Sequence, residues 1–121
     1  MSYGISIVDQ TGNVCKSKIK HDVRGGTYAV EGTTELWLSV TFNYATIFNE
    51  LFGDGGIKNF NGMSIKDSIP KLLEAAGKLE SDDPIVNDYW KPTSGNVKKT
   101  LLCMVQLTTY APEDALWEVK T

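Results

Sequence analysis

The sequence predicts an α+β fold, in which an N-terminal antiparallel hairpin and sheet of about four strands precede two to three helices. Two observations predict it. Residues 3–42 alternate β-branched and aromatic side chains with polar ones between glycine turn signals. From Asn43 onward, apolar residues recur every three or four positions, as in an amphipathic helix. We therefore expect one domain, 1–121, with a sheet over 1–42 and a helical half over 43–121.

The clearest predicted strand runs from Thr34 to Phe42. Alternate residues should share a face because successive strand side chains point in opposite directions. The apolar face would hold Leu36, Leu38, Val40 and Phe42, and the other face Glu35, Trp37, Ser39 and Thr41. The lysine-rich segment 14–21 alternates only weakly, which predicts an edge strand or hairpin arm whose charges prevent further pairing.

Two helices are predicted in the middle of the chain. The first starts at Asn43 as its cap, ends at Gly53, and carries an apolar stripe formed by Tyr44, Ile47, Phe48 and Leu51. The second begins near Asp67-Ser68 with Pro70 in its first turn, where a missing N–H costs nothing. Its predicted stripe consists of Ile69, Leu72, Leu73 and Ala76.

The third helix begins after Pro92, with Thr93 or Ser94 as its cap. Its stripe consists of Val97, Leu101, Met104, Val105 and Thr108, and four further apolar residues lie off it, namely Leu102, Cys103, Leu107 and Tyr110. A helix that is apolar over more than one face is either central in the core or shared with a second subunit. Because so small a domain cannot easily cover both faces, we expect an oligomer.

Composition narrows the function classes. The chain has 12 basic and 15 acidic residues, which argues against a binder of DNA or RNA duplexes, since these usually show a basic face. No run approaches the roughly 18 apolar residues of a membrane span, so we expect a cytosolic protein without membrane contact. Cys15 and Cys103 stand far apart without metal-ligand spacing, and we expect both to be reduced and no metal or other cofactor to be bound.

Catalytic motifs are missing from the sequence. The single histidine, His21, has no visible partner, whereas a general base needs positioned neighbours. The glycines of segment 53–56 follow a helix and lack the Gly-Lys-Ser/Thr ending of a phosphate-binding loop, so they indicate a helix stop. We therefore predict that the protein is not an enzyme.

The most informative stretch, 88–96, places two aromatic residues and a lysine just before a helix start. Such a start offers unpaired N–H groups and the positive end of a dipole to a phosphate. Tyr89 and Trp90 can stack on a base, and Asn96 can hydrogen-bond a ribose or base edge. The alternative is purely structural, with Trp90 packing on the helix and Asn96 an ordinary first-turn residue.

The sole arginine, Arg24, stands beside Gly25-Gly26 at a predicted hairpin tip. Glycines allow the backbone to approach a ligand closely, and arginine can bind a phosphate through two parallel hydrogen bonds. The other interpretation is a solvated turn arginine. A ligand with one or two phosphates is compatible with this composition.

Several blocks together resemble a widespread group of small phage proteins over roughly residues 33–118. They are Thr41-Phe42-Asn43-Tyr44, Gly56-Ile57, Ser68-Ile69-Pro70-Lys71-Leu72, Asp88-Tyr89-Trp90, Thr93-x-Gly95-Asn96 and Lys98-Lys99. Within that group, the sequence is most similar to the first family of Thoeris anti-defence proteins. These are phage sponges that sequester the cyclic ADP-ribose signals made by TIR-domain enzymes, and some also capture cyclic oligonucleotides of the CBASS system at a separate site.

The resemblance implies a homo-oligomer, a dimer or hexamer, in the host cytoplasm, with ligand pockets between protomers. Asn96 and either Trp90 or Tyr89 match the family's nucleotide pocket, and Thr93 belongs to the same motif. The segment 115–121 lacks the arginines that often follow the family's last helix. The candidates for neutralising the ligand phosphates are Lys91, Lys99 and Arg24 of another subunit.

The leading hypothesis is thus a sponge that binds a cyclic ADP-ribose-type signalling nucleotide, such as glycocyclic ADP-ribose from the TIR enzymes of Thoeris, without cleaving it. The alternative is a phage accessory protein that inhibits a host protein by direct binding through exposed aromatic residues such as Trp37, Trp117 and Tyr3.

Overall fold

The computed structural model describes residues 2–21, 28–29, 33–79 and 91–121. The described chain has an antiparallel sheet formed largely near the N-terminus, followed by three helices, which confirms the predicted α+β class. The strands are β1 (Ser2–Val8), β2 (Lys16–His21), β3 (Tyr28–Ala29), β4 (Thr33–Glu35), β5 (Trp37–Thr41) and β6 (Leu116–Lys120). The helices are α1 (Ala45–Phe52), α2 (Ile65–Lys78) and α3 (Ser94–Thr108), with 3₁₀ segments at Phe42–Tyr44 and Gly56–Phe60.

The main sheet has four strands in the order β3-β5-β1-β6, and each described neighbouring pair is antiparallel. Strand β1 lies at its centre, where Ile5 pairs with Leu38 on one side and with Val119 on the other. Strands β2 and β4 form a separate two-stranded ribbon. The lysine-rich segment is therefore an arm outside the main sheet, and Lys16 and Lys18 are exposed on it.

The predicted strand from Thr34 to Phe42 is divided between the two sheets. Leu36 separates β4 from β5, and its backbone joins them to the rest of the chain: its N–H donates to the Cys15 carbonyl (3.1 Å) and its carbonyl accepts from Ile7 N–H (3.0 Å). The predicted apolar face of this strand is buried, since Leu36, Leu38 and Val40 are all fully buried. Phe42 lies beyond β5 in a 3₁₀ segment and is only partly buried.

The C-terminal segment is a strand, so the prediction of a helical half extending to residue 121 is wrong at its end. Strand β6 pairs antiparallel with β1 over five residue pairs, from Gly4 with Lys120 to Val8 with Leu116. Side chains alternate along it, with Trp117 and Val119 buried and Lys120 exposed. The free edge of β1 supplies the partner that makes so short a segment extended.

The outer edge of β6 is covered by the loop that precedes α2. Met63 O accepts from Trp117 N–H (2.9 Å), and Gly62 N–H donates to the Trp117 carbonyl (2.8 Å). The Asn61 side-chain oxygen accepts from Val119 N–H (2.9 Å). Backbone groups that an edge strand would expose are thereby satisfied within the chain.

Helix α2 begins earlier than predicted, because Ser64 rather than Asp67-Ser68 is its cap. Pro70 consequently lies beyond the first turn, at an exposed position. Leu73, predicted in the apolar stripe, is 48% exposed. The buried side of α2 instead includes Leu72, Ala75 and Ala76, and these join residues of the sheet, α1 and α3 in one core cluster.

Helix α3 follows its predicted stripe, with Val97, Leu101 and Met104 fully buried. Two of the residues off that stripe, Cys103 and Leu107, are also buried, in the absence of any second chain. The chain itself thus covers part of the second apolar face on which the expectation of an oligomer depended. Among the described helices, none has the length and apolar character that crossing a bilayer requires.

Candidate functional site

The start of α3 contains four of the seven predicted site residues. Thr93 is extended (φ −89°, ψ 152°), and its hydroxyl accepts a hydrogen bond from Asn96 N–H at 3.0 Å. This is the geometry of a helix N-cap, in which a side-chain oxygen satisfies one of the N–H groups that the first turn leaves unpaired. Of the two predicted caps, Thr93 is the one used, and Ser94 is the first helical residue.

Asn96 is buried at this helix start, with 3% of its surface exposed. Its side-chain amide donates to the Lys91 backbone carbonyl (3.1 Å). The backbone carbonyl of Asn96 accepts from the Thr100 hydroxyl (3.1 Å). Asn96 therefore ties the residues before the helix to its first turn. A hydrogen bond from the amide to a carbonyl fixes the orientation of the side chain and the path of the backbone at Lys91.

Three lysines lie close in sequence to this helix start. Lys91 is exposed, and Lys98 and Lys99 are partly buried in the second turn. The ion pairs between described residues, Lys78–Glu74 and Lys120–Glu118, involve none of the three. Positive side chains beside the positive end of a helix dipole form an environment that attracts an anion.

The two thiols of the chain are free and buried. Burial raises the pKa of the Cys103 thiol to about 11, although Lys99 one turn earlier lowers it in part. Burial, together with the negative charges of Asp9 and Asp114, also raises the pKa of the Cys15 thiol. Both thiols are therefore protonated at neutral pH, so neither is a reactive thiolate.

Three predicted site residues, Tyr89, Trp90 and Arg24, lie outside the described residues, as does the side chain of His21. The stacking part of the predicted site is thus not described. Within the described ranges, no three His, Cys, Asp or Glu side chains converge as metal ligands would.

The aromatic residues that the alternative hypothesis assigns to the binding of a host protein are not fully exposed on the surface. Trp117 is 1% exposed and Tyr3 8% exposed, while Trp37 is partly buried. The indole N–H of Trp117 donates to the Ser68 hydroxyl at 2.7 Å, inside the core. Sequence alternation in β6 was a signal for this burial, since Trp117 and Val119 share one face.

One cavity was not predicted from the sequence. It lies between α1, the segment Gly56–Phe60 and α2, and its lining includes Phe52, Phe60 and Lys71. These residues come from three elements with different periodicities, so no single motif links them.

Comparisons with family models, with curated proteins and with solved structures find no match to this chain. The expectation of a resemblance to Thoeris anti-defence proteins therefore rests on the sequence blocks described above.

Proposed function

We propose that the protein is a non-catalytic sponge that binds and sequesters a cyclic ADP-ribose-type signalling nucleotide in the cytoplasm of a phage-infected host. The observation that carries this proposal is the start of α3, where a capped helix begins between Lys91 and the Lys98-Lys99 pair of its second turn. The sequence resemblance supplies the ligand class. The geometry supports an anion-binding role for these residues.

The pyrophosphate of the nucleotide would bind near this helix end. The Thr93–Asn96 hydrogen bond fixes the first turn, and the Asn96–Lys91 hydrogen bond fixes the backbone that carries the Lys91 side chain. Because both hydrogen bonds are formed within the chain, little ordering of the backbone would oppose binding. A hydrogen bond from a lysine to a phosphate is charge-assisted and shorter than a neutral one.

The base of the nucleotide would stack on Trp90 or Tyr89, which immediately precede Lys91 in the sequence. Closure of the pocket would require a second protomer. Arg24 of that protomer would be a further hydrogen-bond donor to the phosphates of the ligand. A dimer or hexamer is therefore part of the proposal. Enclosure between protomers would exclude water and allow tight binding without any catalytic group.

The test is native mass spectrometry and calorimetry of the full chain with cyclic ADP-ribose isomers and a panel of cyclic di- and trinucleotides. We expect stoichiometric binding of a cyclic ADP-ribose isomer and recovery of the same compound after heat denaturation. Lys91→Gln and Lys99→Gln should each weaken binding about tenfold or more, the effect of losing one charge-assisted hydrogen bond. Trp90→Ala should abolish capture.

Lys16→Gln is the matched control, because it removes the same charge from an exposed position on the β2 ribbon. It should leave the affinity unchanged. Recovery of a cleaved nucleotide would identify an enzyme instead, and no binding of any member of the panel would refute the sponge.

A further inference from the structure

A second ligand site is indicated by the cavity between α1, the 3₁₀ segment Gly56–Phe60 and α2. Its volume is about 260 Å³. Phe52 and Phe60 in its lining meet edge to face, with ring centroids 4.9 Å apart and an interplanar angle of 87°. Met63 and Ala75 extend this apolar lining. A thioether and aromatic edges are favourable contacts for a further flat ring.

The rim of the cavity on α2 carries two lysines and one glutamate, and the glutamate forms an ion pair with only one of the lysines. Lys71, Glu74 and Lys78 all line it, at helical spacings of three and four residues. Glu74 is paired with Lys78 at 3.5 Å, whereas no ion pair between described residues includes Lys71. The lining therefore carries one uncompensated positive charge, in a protein whose formal net charge is −3. An anion is the complementary ligand.

The wall opposite α2 is already fixed by Asn59. The two N–H groups of its side-chain amide are shared among three carbonyls within hydrogen-bond distance of the nitrogen, those of Phe52 (3.2 Å), Asp54 (3.0 Å) and Gly56 (3.0 Å). Close packing behind this turn is also evident at Gly56, where an added Cβ would lie 2.8 Å from the Asn49 side-chain oxygen. The amide donors of Asn59 are thus used within the protein, which leaves Lys71 as the group on this rim for an anionic ligand. A preformed wall reduces the entropy lost on binding.

We propose that this cavity binds a small planar aromatic monoanion, with its ring against Phe52, Phe60 and Met63 and its acidic group at Lys71. A carboxylate, sulfonate or phosphate diester satisfies the same requirement. The site is independent of the nucleotide site proposed above. Helix α3 borders the other side of α2, where Ile69 and Thr108 line a different groove.

The test uses 1-naphthoate and its uncharged counterpart 1-naphthamide, titrated into the full ¹⁵N-labelled chain and followed by amide chemical shifts. For a ligand of about a dozen non-hydrogen atoms, we expect a millimolar or tighter Kd for naphthoate. The shifts should be centred on Phe52, Asn59, Phe60 and Ala75. Naphthamide should bind more weakly.

Lys71→Gln should raise the Kd of naphthoate about tenfold while leaving that of naphthamide unchanged. Lys66→Gln is the matched control, an exposed lysine of the same helix outside this cavity, and should change neither value. Equal affinity for the two probes, an unchanged naphthoate Kd in Lys71→Gln, or shifts centred on residues 91–99 would each overturn the proposal. Nucleotide binding is read from the 91–99 signals, so failure of either proposal is distinguishable from failure of the other.

Discussion

Strand β6 and the start of α3 both hold buried polar groups, but these groups connect very different parts of the chain. In β6, the Trp117 indole reaches Ser68, 49 residues away, and Val119 N–H reaches the Asn61 side chain, 58 residues away. At the start of α3, the Thr93–Asn96 and Asn96–Lys91 hydrogen bonds span three and five residues. Long-range bonds hold the fold together, whereas local bonds shape one turn.

This difference indicates where ligand chemistry can be altered without unfolding the protein. A change at β6 disconnects the central sheet from α2, so its effect should reach the whole domain. A change at the start of α3 should loosen only the first turn of the helix. The proposed nucleotide site thus lies where the structure tolerates variation, which is typical of binding segments on a rigid scaffold.

The largest effect is expected at Trp117, the largest fully buried side chain of the described residues. Trp117→Ala should lower the free energy of unfolding by about 3–5 kcal/mol, because it leaves a cavity and removes the partner of Ser68. Trp117→Phe retains most of the volume and should cost less. Guanidinium unfolding followed by circular dichroism measures both variants.

Leu73→Ala is the control for Trp117→Ala, since Leu73 is 48% exposed and its truncation should cost about 0.5 kcal/mol or less. A loss at Trp117 no larger than at Leu73 would contradict the importance given to the long-range contacts of β6.

A smaller and local effect is expected at Thr93. Thr93→Ala removes the oxygen that accepts from Asn96 N–H and should cost about 1 kcal/mol, as for other helix caps. Amide hydrogen exchange should accelerate at Asn96 but not at Val119. Thr93→Ser keeps the hydroxyl and should restore protection. Faster exchange at both positions would show that the two regions are not separate.

The smallest effect concerns Cys103, and it tests how well the middle of α3 is protected from solvent. Burial raises the pKa of this thiol to about 11, whereas the pKa of a thiol in the unfolded chain is about 8.5. Between these values the unfolded state loses its proton first, so stability should fall as pH rises through that window. We expect a loss of about 0.8 kcal/mol between pH 7 and 9, at the lower edge of that window.

Urea unfolding at several pH values measures this slope, and Cys103→Ala is the control, because without the thiol this contribution to the slope disappears. If the free energy of unfolding depends on pH in the same way in the wild type and in Cys103→Ala, solvent reaches the thiol freely. That result would show that water reaches the middle of α3 more easily than it reaches the buried side chains of β6.

Sequence patterns predicted the elements whose burial follows their own periodicity. Leu36, Leu38 and Val40 alternate and are buried, and Val97, Leu101 and Met104 recur at helical spacing and are buried. Where tertiary neighbours decide, the predictions were wrong. Strand β6 forms because β1 offers an edge, and Leu73 is exposed because the buried side of α2 is centred on Leu72 and Ala76.

The candidate site was predictable only where it is local. The cap at Thr93 follows from a threonine placed just after Pro92, and the structure adds that Asn96 bonds the Lys91 carbonyl. The cavity near Lys71 depends on how α1, the segment Gly56–Phe60 and α2 meet in three dimensions. Periodicity describes each helix face separately and says nothing about the space between two faces.

The pairing of β1 with β6 has a consequence for biosynthesis. Gly4 in the first strand lies opposite Lys120 in the last, more than a hundred residues later. During translation β1 must wait, with one edge unpaired, until the ribosome has released β6. Closure of such a distant contact is slow, so the nascent chain passes through a stage in which its central strand is open to chaperones or to other chains.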